Sequence, residues 1–465
     1  MPDGSTGHVE YPERIEPEKM ERVAAELRRQ ALDGILHASR TFWIAVLVLG
    51  ILSVLGVIGA VLRIAGGFAD RAAWGYYATI FACLVAAAQG APILATATRI
   101  TRAQWGRPVR RAAELLGVVG LLNAAWSIPL LLALPPTTGR KTIWFDLGWG
   151  APGFWDGFAL FLLVFLGLVL LYLDALPDLA AARDQLGARH GLYSRLALGW
   201  RGTKLQWVIL QRGLVLLGIF YLMLFVFVQY LISSDFSMSL VPGWRSAVYP
   251  PYTIVTSLES AVAASIVVLF LLRVAGGLRE QIGLDQFWSL AKILLALVLF
   301  WFYFFWSDLM ILWYGRIPSE IATLELVLAG PYFVPFVLGA LLMFVVPFAL
   351  LIWNKLRVSI WGPTLVSVIV LIGLFFDRVR FYVSAWSVAG SANYAEGQWQ
   401  IPPTQFPDLV DILVIVGAVS LGALLVLGAT RLLPTLSLWS VEEGRLLETT
   451  RAYLRTHVRV LGKPN

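Results

Sequence analysis

An all-α polytopic membrane protein of about ten transmembrane helices is predicted by two observations about composition and one about spacing. The 465 residues are 58% hydrophobic. Only 14% are charged, against roughly 25% in soluble domains, too few to clothe a water-soluble core. The apolar residues fall into about ten runs of roughly 20, the length a helix needs to cross a bilayer core of about 30 Å. These features exclude a soluble enzyme and a DNA-binding domain. They also exclude a β-barrel, whose strands would be half as long and alternate in polarity.

In order, the expected spans are 42–63, 73–97, 112–134, 154–176, 206–232, 253–274, 287–314, 331–354, 359–378 and 408–431. An even number puts both termini on one side. Segments on that side carry 26 Lys and Arg and the opposite loops 8, with Arg212 and Lys292 just inside spans. The positive-inside rule therefore places both termini in the cytoplasm of a cell whose inner membrane holds the chain. The net charge of +7 is a topology signal, and nucleic-acid binding is not expected. Residues 1–41 are polar and mixed in charge, with the amphipathic spacing of a cytoplasmic helix and no cleavable signal. Residues 432–465 form a second cytoplasmic tail with a similar pattern, and 42–431 form the membrane domain. Loops 135–153, 233–252 and 379–407 on the opposite side are rich in Pro, Gly, Trp and Tyr, a composition suited to folding back on the bundle or receiving a partner.

One cysteine, Cys83, rules out disulfides, iron–sulfur ligation and covalent haem attachment within the chain. His8, His37, His190 and His457 all fall in loops or tails, which argues against a b-type haem. Electron transfer would thus need redox centres in another subunit or a diffusible quinone.

Several segments resemble the NrfD/PsrC superfamily, the quinone-interacting membrane subunits of respiratory complexes such as polysulfide reductase and alternative complex III. WGRPVRRAAE (105–114) is similar to the family's W-x-x-P-x-x-R-x-A-E run into helix 3, and FWDGFALFLLVFLGLVLLYLDALPDLAAARDQ (154–185) to its fourth helix. GLYSRLALGWRGTKLQW, SSDFSMSLVPGWRSAVYPPY, FYFFWSDLMILWYGRIPSE and RLLPTLSLWSVE follow in family order, so the likeness runs from about residue 70 to 440. It implies two four-helix bundles, helices 2–5 and 6–9, flanked by helices 1 and 10. It also implies a periplasmic iron–sulfur subunit and other membrane subunits as partners, menaquinone or ubiquinone as diffusible substrate, and no covalently bound cofactor. The chain departs from the pattern near Thr137 or Thr138 and at Gln229, the two places where quinol-oxidising members of alternative complex III carry a histidine. The SSDFSMSLVPGW and WSDLMILWYGRIPSE stretches are closer to the alternative complex III subunit not credited with the main quinol site.

An ionisable side chain inside a span costs about 2.5–3.5 kcal/mol on insertion scales, so each carboxylate there needs a reason. Asp156 opens helix 4 and suits the base of a quinol site, with Trp144, Trp149 and Trp155 as walls of an apolar slot and Arg140 or Thr138 as its polar partner. The rival reading is an N-cap of helix 4. Glu259 lies roughly 10 Å deep in helix 6, Asp308 about as deep in helix 7, and Asp235 just past helix 5, all toward the same side. Together they suit a proton-accepting cluster, while Asp174 and Asp178 share a face at the other end of helix 4, with Arg212 and Lys292 as counter-charges. Structural ion pairing is the rival for each, with Arg183 or a loop arginine as partner for Asp178. Asp377, Arg378 and Arg380 are expected to pair among themselves or with Asp408 and Asp411.

The leading function is thus a quinone-interacting subunit of an oxidoreductase, not catalytic alone, coupled to proton movement. The alternatives are a proton-conducting or scaffold subunit without its own quinone site, and a secondary transporter, for which Pro129, Pro335 and Pro347 supply helix breaks. The charge asymmetry makes one outcome definite: alkaline phosphatase fused after Asn465 should be inactive, and green fluorescent protein there fluorescent. The reverse pattern would overturn the orientation.

Overall fold

A computed structural model describes residues 25, 38–144, 148–185, 190–446, 448–453 and 456–461. The chain is an all-α polytopic membrane protein. Among the described residues nine helices are long and apolar enough to cross a membrane. They are α1 (Arg40–Ala65), α2 (Ala72–Ile100), α3 (Gln104–Ala133), α4 (Gly153–Gln185), α5 (Lys204–Asp235), α6 (Tyr249–Val274), α7 (Leu284–Gly315), α8 (Phe333–Ile352) and α10 (Leu409–Ala429). The expected ninth span is helical too: α9 (Trp361–Arg378) runs on through a π turn, Val379–Val383, into Ser384–Ala389. Helix α3 starts earlier than the hydropathy predicts because Arg107, Arg111 and Glu114 are buried against neighbours instead of lying in a loop.

Helices α2–α5 pack on one another, as do α6, α7, α8 and α9. The two groups meet where α6 lies against α5 and the π turn of α2, Val85–Gln89, and where α9 crosses α2. Small residues allow that approach: a Cβ on Gly90 would sit 2.7 Å from Ala261 Cβ. Helix α2 is accordingly the most enclosed, with 89% of its apolar window buried, against 22% for α1 and 17% for α7 at the periphery.

Helices α1 and α10 form an antiparallel pair, with α10 packed on α2 and α3. Gly56 and Gly417 face each other so closely that a methyl on either would overlap the other's backbone. One turn on, Gly59 would meet Leu413 Cβ at 2.9 Å. Above the glycines Arg63 reaches Asp408 at 2.9 Å and Asp411 at 2.8 Å. Against the push of burial, the Asp411 N–H and Arg63 hold the Asp408 carboxyl below the ordinary carboxylate range. Asp408 and Asp411 are thus partners of Arg63, not of the charged triplet on α9.

The long loops knit into a lid over one face. Trp399 Nε1 donates to Pro242 O at 2.9 Å, Tyr394 OH to Leu240 O at 3.0 Å, and Trp386 Nε1 to Phe236 O at 3.1 Å. Gly139, at φ +80°, lies flat on the Tyr394 carbonyl, where a side chain would collide. The expected N-terminal amphipathic helix lies outside the described residues apart from Ala25. The C-terminal tail is not one long amphipathic helix. A short helix, Leu438–Leu446, precedes an antiparallel hairpin of β1 (Glu448–Tyr453) and β2 (Thr456–Leu461). Alternating Thr, Val, Arg and Tyr suits strands better than helix there.

Replacing Gly417 by Leu should force α1 off α10 and cost about 1–3 kcal/mol. Thermal unfolding in detergent measures this, with Gly50→Leu, where the added Cβ meets nothing within 4 Å, expected to stay neutral.

Candidate functional site

Asp156 lies in the first turn of α4, yet its carboxylate does not cap that helix. Its Oδ1 accepts from Trp144 Nε1 at 2.7 Å, the indole coming from the 134–152 loop. Asp235, at the last turn of α5, arrives beside it, its Oδ1 accepting from the Ile143 N–H at 3.2 Å. The two carboxyls lie within electrostatic reach of each other. The Oδ2 of each is buried without a hydrogen-bond donor. Two carboxylates placed so repel each other, and burial weakens the screening between them.

Arg140 is the local cation. It is buried, and burial lowers its pKa. Its guanidinium donates to Pro135 O at 2.5 Å, Asp235 O at 3.0 Å and Ser239 Oγ at 2.9 Å, pinning the loop to the end of α5. Of the other expected residues, Trp155 lies 5.8 Å from Trp144 with the ring planes tilted by 34°. Trp149 is 78% exposed and packs edge-on against Phe154, and Thr138 is exposed. The structure therefore joins Asp156, Trp144, Trp155 and Arg140, adds Asp235 to them, and turns Trp149 and Thr138 outward.

Glu259, Asp308 and Asp235 are not gathered into one cluster. Glu259 is fully buried in α6, neither oxygen has a hydrogen-bond partner, and the charged group acting on it is Asp377. Asp308 Oδ1 accepts from Ser246 OH at 2.5 Å and faces a water-sized cavity of ≈ 20 Å³ shared with Tyr252 and Arg380. Between them stands a hub that the sequence reading treated as ion pairing alone. Asp377 Oδ1 accepts from Tyr252 OH at 2.5 Å and from Arg380 Nη2 at 2.8 Å, and Arg378 Nη1 lies 3.7 Å from Oδ2. Three charges within four residues of an apolar run were the available signal.

At the opposite face three acids meet two guanidinium groups. Arg99 of α2 contacts Glu114 at 2.5 Å and Asp174 at 2.6 Å. Arg111 of α3 donates to Asp174 Oδ2 at 2.9 Å and to Asp178 Oδ2 at 2.7 Å. The chain after α10 closes the network: Leu438 N–H donates to Asp178 Oδ1 at 3.1 Å and Pro434 O accepts from Arg111 at 3.4 Å. The counter-charges expected in Arg212 and Lys292 are elsewhere, since Arg212 is exposed and Lys292 stacks on Trp288 at 4.0 Å. Asp178 pairs with Arg111, while Arg183 takes Asp184. Sequence reasoning missed Glu114, although it closes the WGRPVRRAAE motif. Among the described residues no group of His, Cys, Asp and Glu is placed to hold a metal ion.

No known protein family and no curated protein sequence matches this chain.

Removing one partner of a buried ion pair leaves the other charge stranded, at about 3–5 kcal/mol. Arg111→Ala should therefore lower the thermal stability of the purified protein severely, while Arg212→Ala should change it by less than about 0.5 kcal/mol.

Proposed function

We propose that this chain is a quinone-interacting subunit of a respiratory oxidoreductase of the NrfD/PsrC type, handling quinol protons at the Asp156–Asp235 pair. The carrying observation is the pairing itself: two buried carboxyls, each with one oxygen lacking a donor, beside the Trp144 indole N–H and the Arg140 guanidinium. Oxidising a quinol releases two protons and two electrons. The carboxyl pair accepts one proton from a quinol hydroxyl while the second leaves to water at that face, the Trp144–Trp155 rings offer an apolar wall for the quinone ring, and Arg140 holds the loop that carries Trp144. The electrons pass to an iron–sulfur partner docked over the loop lid, since the single Cys83 cannot hold a cluster. With the termini in the cytoplasm of a bacterial inner membrane, as the basic residues imply, the pair lies at the periplasmic side.

A second reading, a proton-conducting subunit without its own quinone site, is favoured by Glu259, a fully buried carboxyl with no hydrogen-bond partner. The charged group acting on it is Asp377. The two readings separate in one experiment on the assembled complex. Under the quinone reading Asp156→Asn lowers quinone turnover on the order of 10²-fold, because an amide accepts no proton. Assembly should survive, because the amide oxygen still accepts from Trp144. Wild-type turnover in Asp156→Asn, together with lost proton coupling in Glu259→Gln, would replace the quinone reading by the conducting one.

A further inference from the structure

Two indoles lie together beside the Asp156–Asp235 pair, and only one of them has used its N–H. Trp144 Nε1 donates to Asp156 Oδ1 at 2.7 Å. Trp155 Nε1, on the residue before Asp156 in the first turn of α4, is buried and has no acceptor among the described residues. A buried indole N–H without an acceptor forfeits the hydrogen bond it had in water, so such groups nearly always find one. An indole can only donate. What completes Trp155 is an oxygen brought by a ligand.

The surroundings narrow the kind of molecule that carries that oxygen. The Trp155 ring packs edge-on against Phe154 at 5.3 Å and Phe158 at 6.3 Å, and the Trp144 ring edge-on against Phe227 of α5 at 5.9 Å. Phe154, Phe158 and Phe227 are 48%, 53% and 40% exposed. The aromatic group thus continues from the carboxyl pair out to the apolar surface of α4 and α5. A ligand lying along it meets carboxyls at one end and hydrocarbon at the other.

We propose that Trp155 Nε1 donates to the second oxygen of a lipophilic aromatic diol whose first hydroxyl gives its proton to the Asp156–Asp235 pair. The inference rests on the quinone reading and gives Trp155 a role beyond the apolar wall, that of the donor holding the far oxygen. As the diol is oxidised, two electrons leave for the partner subunit, and the far oxygen loses its proton to water and becomes a carbonyl. The N–H stays bonded to that oxygen while negative charge builds on it. The site then selects for two ring oxygens, since an analogue lacking the second leaves the buried N–H unpaired.

The test is anaerobic isothermal titration of the full-length chain in phosphatidylcholine nanodiscs with duroquinol and with durenol, which lacks one of its two ring oxygens. Wild type should bind duroquinol about tenfold tighter, the factor expected of one ordinary hydrogen bond. Two variants remove the N–H: Trp155→Phe, and an isosteric replacement of the Trp155 indole by benzothiophene, which keeps the two-ring shape. With an unchanged thermal midpoint, each should bind the two ligands equally. Arg140, whose Nε also lacks an acceptor, is untouched in both. A tenfold ratio that survives in the benzothiophene variant would overturn the assignment to Trp155 and leave the quinone reading standing, as would equal binding of the two ligands by wild type. Wild type that binds neither ligand would overturn the quinone reading along with the inference.

Discussion

A charge taken into hydrocarbon has to bring its partner with it, and the architecture hangs on one such pairing: Arg99 and Arg111 holding Asp174. Desolvating either sign alone costs several kcal/mol, so α2, α3 and α4 cannot rotate or slide without exposing an unpaired charge. The consequence travels along α4. Asp156 and Asp174 are five turns of 3.6 residues apart, roughly 27 Å, and so share one face of the same helix. Anchoring Asp174 inward at one side of the membrane thereby aims Asp156 inward at the other. The ion network at one face fixes the phase of the carboxyl at the opposite face.

What stood in the sequence and what did not divides along a physical line. Helices were legible because hydropathy is a local property, and every expected span is helical. Asp156, Trp144, Trp155 and Arg140 were legible as a group because they sit within a few residues of one loop and helix start. Asp235 was read into a different cluster, since nothing along the chain says that the end of α5 meets the start of α4. The same non-local blindness assigned Arg212 and Lys292 to Asp174 and Asp178. Those lysine and arginine side chains have the right charge and depth but face outward. Arg111 and Glu114 were concealed by their own amphipathic setting, which reads as a polar loop until helices α2 and α4 are packed around it.

The lid shows how loops without regular structure become part of the site. Arg140 spends its hydrogen bonds on main-chain and serine oxygens. It acts less as a counter-ion than as a clasp between the 134–152 loop and the end of α5. Trp144 is thereby presented to Asp156 by a loop whose position is set from the neighbouring helix. The chemistry at Asp156 then depends on the order of the lid as much as on α4.

The π turn of α9 carries one residue beyond what an α-helix would use for that turn. A helix containing such a turn behaves as a screw with an extra click in its thread. Losing one residue between Val379 and Val383 would not shorten the span noticeably, yet it would swing all that follows by about 100°. Trp386 would then turn away from Phe236, and Ser387 from Tyr332. Lineages descended from such a chain can exchange side chains in this helix freely at its lipid face, while a change in residue count there acts as an all-or-none event. The segment is permissive to spelling and intolerant of length.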